Sequence, residues 1–198
     1  MKKIFSILCL CTLIVFMVAP ATQASIYYLT VDHLTGNYGT AGPYGQVELT
    51  QDGSDVDVTV TLYDDSKFVR TGAGGGENFV FNATGITLAD ISGTGLTAVA
   101  GSIHADGAGN FQYGISFTGQ GTGGSNAIAG PISFTVASAA IADLIVANNK
   151  DQIFAADIIS GVSGYTGVVS TPVPIPAAAY FLGSGLLGLV GIRRRVKG

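Results

Sequence analysis

Two short stretches carry residue types that could do chemistry. Ser102-Ile103-His104-Ala105-Asp106 sets a hydroxyl, an imidazole and a carboxylate at alternate positions. A hydrolase needs those types as nucleophile, base and orienting group. On a strand they would share one face, spaced about 6.6 Å per step, too far apart for a linear relay. The spacing therefore describes a polar strand face. The other histidine, His33, follows Asp32. Asp52-Gly53-Ser54-Asp55-Val56-Asp57 crowds three carboxylates that could attract calcium. It lacks the Asp-x-Asp-x-Asp-Gly order and the distant Glu of a calcium loop, so it reads as a hairpin turn with solvated acids. A glycosidase needs two carboxylates across a cleft, and the spacing of the 13 acids selects no pair.

Thr71-Gly72-Ala73-Gly74-Gly75-Gly76 and Gly119–Gly124 are glycine-rich, but neither ends in the Gly-Lys-Ser/Thr of a phosphate loop. Both read as turns. Seven tyrosines precede residue 171 and there is no tryptophan. Tyrosine faces can stack on sugars, which keeps carbohydrate binding open, although a strand tyrosine more often packs. The inventory implies no enzyme, no cofactor and no metal.

The elements behind these residues are strands. Asp55-Val56-Asp57-Val58-Thr59-Val60-Thr61-Leu62-Tyr63 alternates polar with apolar and follows Val47–Thr50 across an Asp-Gly turn, which is a hairpin signal. Val56, Val58, Val60 and Leu62 should face a core. Further strands are expected at 26–35, 79–83, 111–118, 132–137 and 152–159, each bounded by Gly, Pro, Asn or Asp. Ser138–Ala147 suits a short helix with Ser138 as its cap. The expected fold is all-β, an antiparallel sandwich of jelly-roll-like form with one short helix.

The ends of the chain differ from its middle. Met1-Lys2-Lys3 precedes an apolar run from Ile4 to Val18 and the small-residue exit Ala21-Thr22-Gln23-Ala24. That is the pattern of a secretory signal peptide, a helix over 1–24 with cleavage expected after Ala24. Cys9 and Cys11 lie inside it, so residues 25–170 hold no cysteine. Leu8 and Leu10 precede them where a lipoprotein signal needs a small residue. Residues 25–170 keep three cations, Lys67, Arg70 and Lys150, against all 13 acids, a net of −10. Such a domain repels phosphate backbones, and nucleic acid is excluded as a partner.

From Thr171 to Gly198 the composition changes again. Prolines at 172, 174 and 176 favour an extended segment over 172–177. An uncharged run follows from Ala177 to Ile192. These 16 residues make about 24 Å of helix, slightly short of a bilayer core of about 30 Å. Arg193, Arg194, Arg195 and Lys197 then stop transfer and stay cytoplasmic. The acidic domain is expected outside.

The order of proline motif, apolar Gly/Leu helix and arginine cluster resembles the PEP-CTERM sorting signal, in the variant written Val-Pro-Leu-Pro-Ala. The matching residues are Val173, Pro174, Ile175, Pro176 and Ala177, with Ile175 where the name-giving motif has Glu. The resemblance implies a Gram-negative host that makes exopolysaccharide. It implies recognition by an exosortase in the inner membrane, an anchored intermediate with a periplasmic domain, then transfer to the cell surface or the extracellular matrix. The catalysis belongs to that partner. The middle also resembles a group of tail-bearing proteins around Gly101–Gly107 and Phe111–Gly114, which carries no activity over. The expected function is a structural or interaction role at the surface or in a biofilm, with exopolysaccharide as candidate partner. A carbohydrate-binding module is the alternative, and a secreted hydrolase the second alternative.

Overall fold

A computed structural model describes residues 23–174. In chain order the strands are β1 (Ala24–Leu29), β2 (Val31–Asp32), β3 (Gly45–Asp52), β4 (Asp55–Leu62), β5 (Lys67–Phe68), β6 (Phe79–Phe81), β7 (Ile91–Ser92), β8 (Leu96–Ala105), β9 (Gly109–Phe117), β10 (Ile132–Val136), β11 (Gln152–Ile159) and β12 (Thr166–Pro172). The α-helix among the described residues, α1, is Ile141–Leu144. All pairings are antiparallel.

The alternation of 47–63 produces the expected hairpin. β3 and β4 pair from Asp52↔Asp55 to Gly45↔Leu62. Gly53 opens the turn at φ +59, the left-handed value that a type II′ turn asks of its first central residue. Val56, Val58 and Val60 are buried and Leu62 is half-buried at the strand end. β1, β3, β4, β10 and β7 lie in that order in one sheet. β2, β12, β11, β6, β9 and β8 form the other, with β5 also beside β11.

The two sheets face each other across one apolar core. Phe79 and Phe81 of β6 meet Phe134 of β10 at ring distances of 6.2 and 5.6 Å, and Phe79 lies 5.8 Å from Phe154 of β11. A smaller cluster of Val80, Ala105, Ala108, Phe111, Ala155 and Val168 sits on the opposite face of the second sheet, with Ala73 of a loop packed on it. β11 is thus covered on both faces. Its near-continuous apolar sequence, Ile153 to Ile159 interrupted by Asp157, is what such a strand requires.

Several expectations change. The strand expected over 26–35 breaks at Thr30, where the chain leaves the first sheet for the second and the Thr30 N–H donates to the Ser170 carbonyl. The helix is one turn, not ten residues, and Ser138 does not cap it. Ser138, Ala139 and Ile141 spend their N–H groups on Asp55, Ser54 and Gln51 of the β3–β4 hairpin. Asp143 caps the turn by accepting the Ala140 N–H. β8 and β12 are strands without a clear alternation in sequence. The strand order departs from a jelly roll, in which successive strands mostly alternate between sheets. Here β3–β4, β8–β9 and β11–β12 each stay in one sheet, because short turns make each of them a local hairpin.

β12 also runs past residue 170. Thr171 is buried and pairs with Phe154, and Pro172 pairs with Gln152. The Val173 N–H donates to the Asp151 carbonyl. Alternate residues of a strand point their N–H groups to opposite edges. Donors at 173 therefore face β11, while Pro172 puts its missing donor on the other edge, where it costs no ladder bond. No helix among the described residues is long and apolar enough to cross a membrane. The expected signal peptide up to residue 22 and the expected helix over 177–192 lie outside the described residues.

Candidate functional site

Among the described residues, four groups of polar side chains bear on function. The first is the stretch with hydrolase-like residue types. His104 Nε2 lies 3.5 Å from Asp106 Oδ1, both side chains about two-thirds exposed, and His104 Nδ1 meets Asn110 Oδ1 at 2.7 Å. Ser102 falls in the irregularity of β8 between Ala100 and Ile103 and is exposed. The three groups do not form a relay.

The second place joins residues that the sequence keeps 137 apart. His33 Nε2 lies 2.9 Å from the Oγ of fully buried Ser170, and that hydroxyl donates to Gln152 Oε1 at 2.8 Å. A serine whose proton points to an amide oxygen must accept from the imidazole, so His33 carries its proton on Nε2 here and is not poised as a base toward Ser170. Burial holds the imidazole below the ordinary histidine range, against the opposite pull of the Asp32 charge. Asp32 does not orient the ring. Its oxygens accept the N–H groups of Leu34 and Tyr38 at 2.8 and 2.7 Å. The cluster is a polar knot tying β2, β12 and β11.

The third place lies under the glycine-rich loop 71–76. Asp157 of β11 points into it and is 1% exposed. Its Oδ2 accepts the N–H of Thr71 at 2.6 Å and the Thr71 hydroxyl at 2.7 Å. Its Oδ1 is buried without a partner. Burial pushes this carboxyl up to about 6, against the bonds from Thr71 and the pull of the nearby Gly74 amide, and the Asp106 charge adds to the push.

The fourth is a groove of about 860 Å³ beside β10. Asp57, Thr59, Ser92, Thr94, Ser133 and Thr135 line it, together with apolar groups such as Leu96 and Phe117. Thr135 donates to Asp57 Oδ1 at 2.7 Å, and Thr59 and Ser133 lie 3.3 Å apart. Asp57 and Thr59 alternate with core valines, so they stand on the outward face of the first sheet. The register carries that face on to Glu48 and Gln46 of β3, then to Ile26 and Tyr28 of β1, each 48% exposed. Neither Lys nor Arg lines the groove. Its polar lining is five hydroxyls and one carboxylate, with no cation to pair with a phosphate.

Among the described residues no cluster of three or more His, Cys, Asp or Glu could hold a metal ion. Asp55 accepts from Ser54 and Ser138, and Asp57 accepts from Thr135.

Of the residues expected to form the sorting signal, Val173 and Pro174 are described, exposed at the end of β12. Ile175, Pro176, Ala177, Arg193, Arg194, Arg195 and Lys197 lie outside the described residues. Ala24 opens β1 opposite Thr50. β2 runs antiparallel to β12, with Asp32↔Val169 and Val31↔Ser170. The chain traced back from Thr30 to Ala24 and the chain traced on from Ser170 to Pro174 therefore head for the same pole. The β3–β4 turn, α1 and the turn before β11 gather there. No family model matches the chain, and no curated protein and no solved structure matches it.

Proposed function

We propose that the chain is an exported, exosortase-sorted protein of the cell surface or extracellular matrix, with a structural or interaction role and no catalysis of its own. In this reading the N-terminal run is a signal peptide cleaved after Ala24. Residues 177–192 hold the intermediate in the inner membrane with the β domain in the periplasm. Val173, Pro174, Ile175, Pro176 and Ala177 are the segment that the exosortase reads, and Arg193, Arg194, Arg195 and Lys197 stop transfer.

The observation that supports this reading is the shared pole. In this reading the signal peptide and the membrane tail leave from one pole of the domain, the pole where Ala24 and Pro174 lie. Val173 and Pro174, exposed at the end of β12, begin the stretch that the protease would engage in this reading.

Replacing Pro174 and Pro176 with Ala tests it. Membrane insertion should persist, because the apolar run and the arginines are unchanged, but full-length protein should accumulate in the inner membrane. Mass spectrometry of wild-type surface protein should find a C-terminus near residues 173–177. An intact Gly198 terminus at the surface would refute processing.

The groove favours one second reading, a carbohydrate-binding module for neutral exopolysaccharide. Its hydroxyls and the Asp57 carboxylate match sugar hydroxyls, and its lack of cations disfavours acidic polymers. Affinity electrophoresis in neutral polysaccharide gels should retard the protein, and Asp57→Ala with Thr135→Ala should abolish the retardation.

A further inference from the structure

We propose that the loop Thr71–Gly76 is a pH-operated latch on the outer face of β11, with Asp157 as its catch: closed while the carboxyl is protonated, loosened when it ionises. The loop covers the face of the sheet where Ala155, Phe111 and Ala105 form the smaller apolar cluster, and Ala73 packs on that cluster. Most of its remaining bonds are internal turns, from Gly75 to Gly72 and from Gly76 to Thr71. Its ties to the rest of the fold are the Asp106 N–H to the Ala73 carbonyl at 2.7 Å, the Arg70 Nε–H to the Gly76 carbonyl at 2.7 Å, and Asp157. A side chain at Gly74 would collide with Asp157 Cβ at 2.4 Å, so loop and carboxyl are in direct apposition.

The asymmetry between the two oxygens makes the catch sensitive. Oδ2 has its donors, but Oδ1 is buried with none. A neutral carboxyl tolerates one dry oxygen far better than a carboxylate, whose charge is shared by both. With the loop down, Oδ1 is closed off from bulk solvent. Lifting the loop hydrates it. Four charged groups lie around the site. Asp106, on the β8–β9 turn, repels the anion. Glu77, at the loop's end, accepts from Ser116 instead. Arg70 donates from Nε to the Gly76 carbonyl and from Nη1 to the Gln120 carbonyl. The His104 side chain is at the surface beside Asp106. None of the four offers Oδ1 a donor.

The latch has something to operate. Thr71, Gly72, Gly75 and Gly76 form one wall of a cleft of about 490 Å³ that Arg70, Thr122 and Gly123 complete. Release of the loop would reshape that cleft and uncover part of the small apolar cluster. The inference does not depend on the sorting tail or on glycan binding.

Amide hydrogen exchange on the full-length protein tests it, with rates corrected for the intrinsic pH effect. Protection in peptides covering 71–76 should fall at least tenfold between pH 5 and pH 7.5, while the β3–β4 hairpin keeps its protection. Asp157→Asn, which keeps an acceptor for Thr71 and never ionises, should hold the loop equally protected at both values. An unchanged wild-type loop, or a pH response that survives in Asp157→Asn, overturns the proposal. A carboxyl-carbon NMR titration of the wild type needs no variant: a midpoint for Asp157 below pH 5 would overturn it too.

Discussion

At the scale of single residues, Asp157 makes stability depend on pH. Its folded pKa, about 6, lies above the unfolded value of about 3.9. The folded state therefore binds the proton more tightly. The resulting stabilisation is complete below about pH 4 and is lost as pH rises through 6. A shift of this size corresponds to about 3 kcal/mol in all, of which about 2 kcal/mol falls between pH 4.5 and 7.5. Denaturant titrations of wild type and Asp157→Asn at those two values should show the variant gaining about 2 kcal/mol relative to wild type at the higher pH. An unchanged difference would mean that Asp157 is not the buried acid described here. His33 works in the opposite sense. Its lowered pKa means that stability is present above the unfolded histidine value and lost as pH falls through the folded one.

At the scale of elements, β4 separates two environments one residue apart. Val58 is buried between the sheets, and Thr59 stands on the outward face opposite Ser133. Val58→Asp would bury an unpaired charge and should cost several kcal/mol, comparable with the stability of a whole domain. Thr59→Asp keeps its charge in water and should cost about 1 kcal/mol or less. Thermal melts of the pair check the register. Equal losses would mean that the strand does not present alternate faces as described. The same periodicity explains why this hairpin could be read directly from its residues. β8 could not be, because Leu96–Ala105 mixes Ala, Gly and Ser at half-exposed and exposed positions and so shows no period.

At the scale of the molecule, the boundary of the β domain lies beyond residue 170. Thr171 is buried, Pro172 is paired and Val173 is bonded to Asp151. A fragment of residues 24–174 should fold alone with a β-type circular dichroism spectrum. It contains no cysteine, so reductant should leave it unchanged. A fragment ending at 170 should be less stable by about 1–3 kcal/mol, the size of one buried side chain and its ladder bonds. Equal melting temperatures would place residues 171–174 outside the folded unit. An alkaline phosphatase fusion after Pro174 should be active if the domain is periplasmic before processing, and silent if it is not.

What the residues determined by themselves was periodic or compositional. The alternation of 55–63, the glycine-bounded strands near 79, 111, 132 and 152, and the all-β class depend only on which neighbours share a face, a property of local geometry. The two hydrophobic ends and the proline motif are likewise local patterns. What tertiary structure alone decided was every pairing across distance. The strand at 26–35 divides between sheets because Ser170, far along the chain, takes the Thr30 amide. The helix at 138–147 shrinks to one turn because a hairpin closed earlier in the chain claims its amides. Asp157 was one acid among 13 until the glycine loop, 86 residues before it, folded over it and excluded water from one of its oxygens. Burial and desolvation are properties of surroundings, and surroundings are assembled from segments that no local pattern connects.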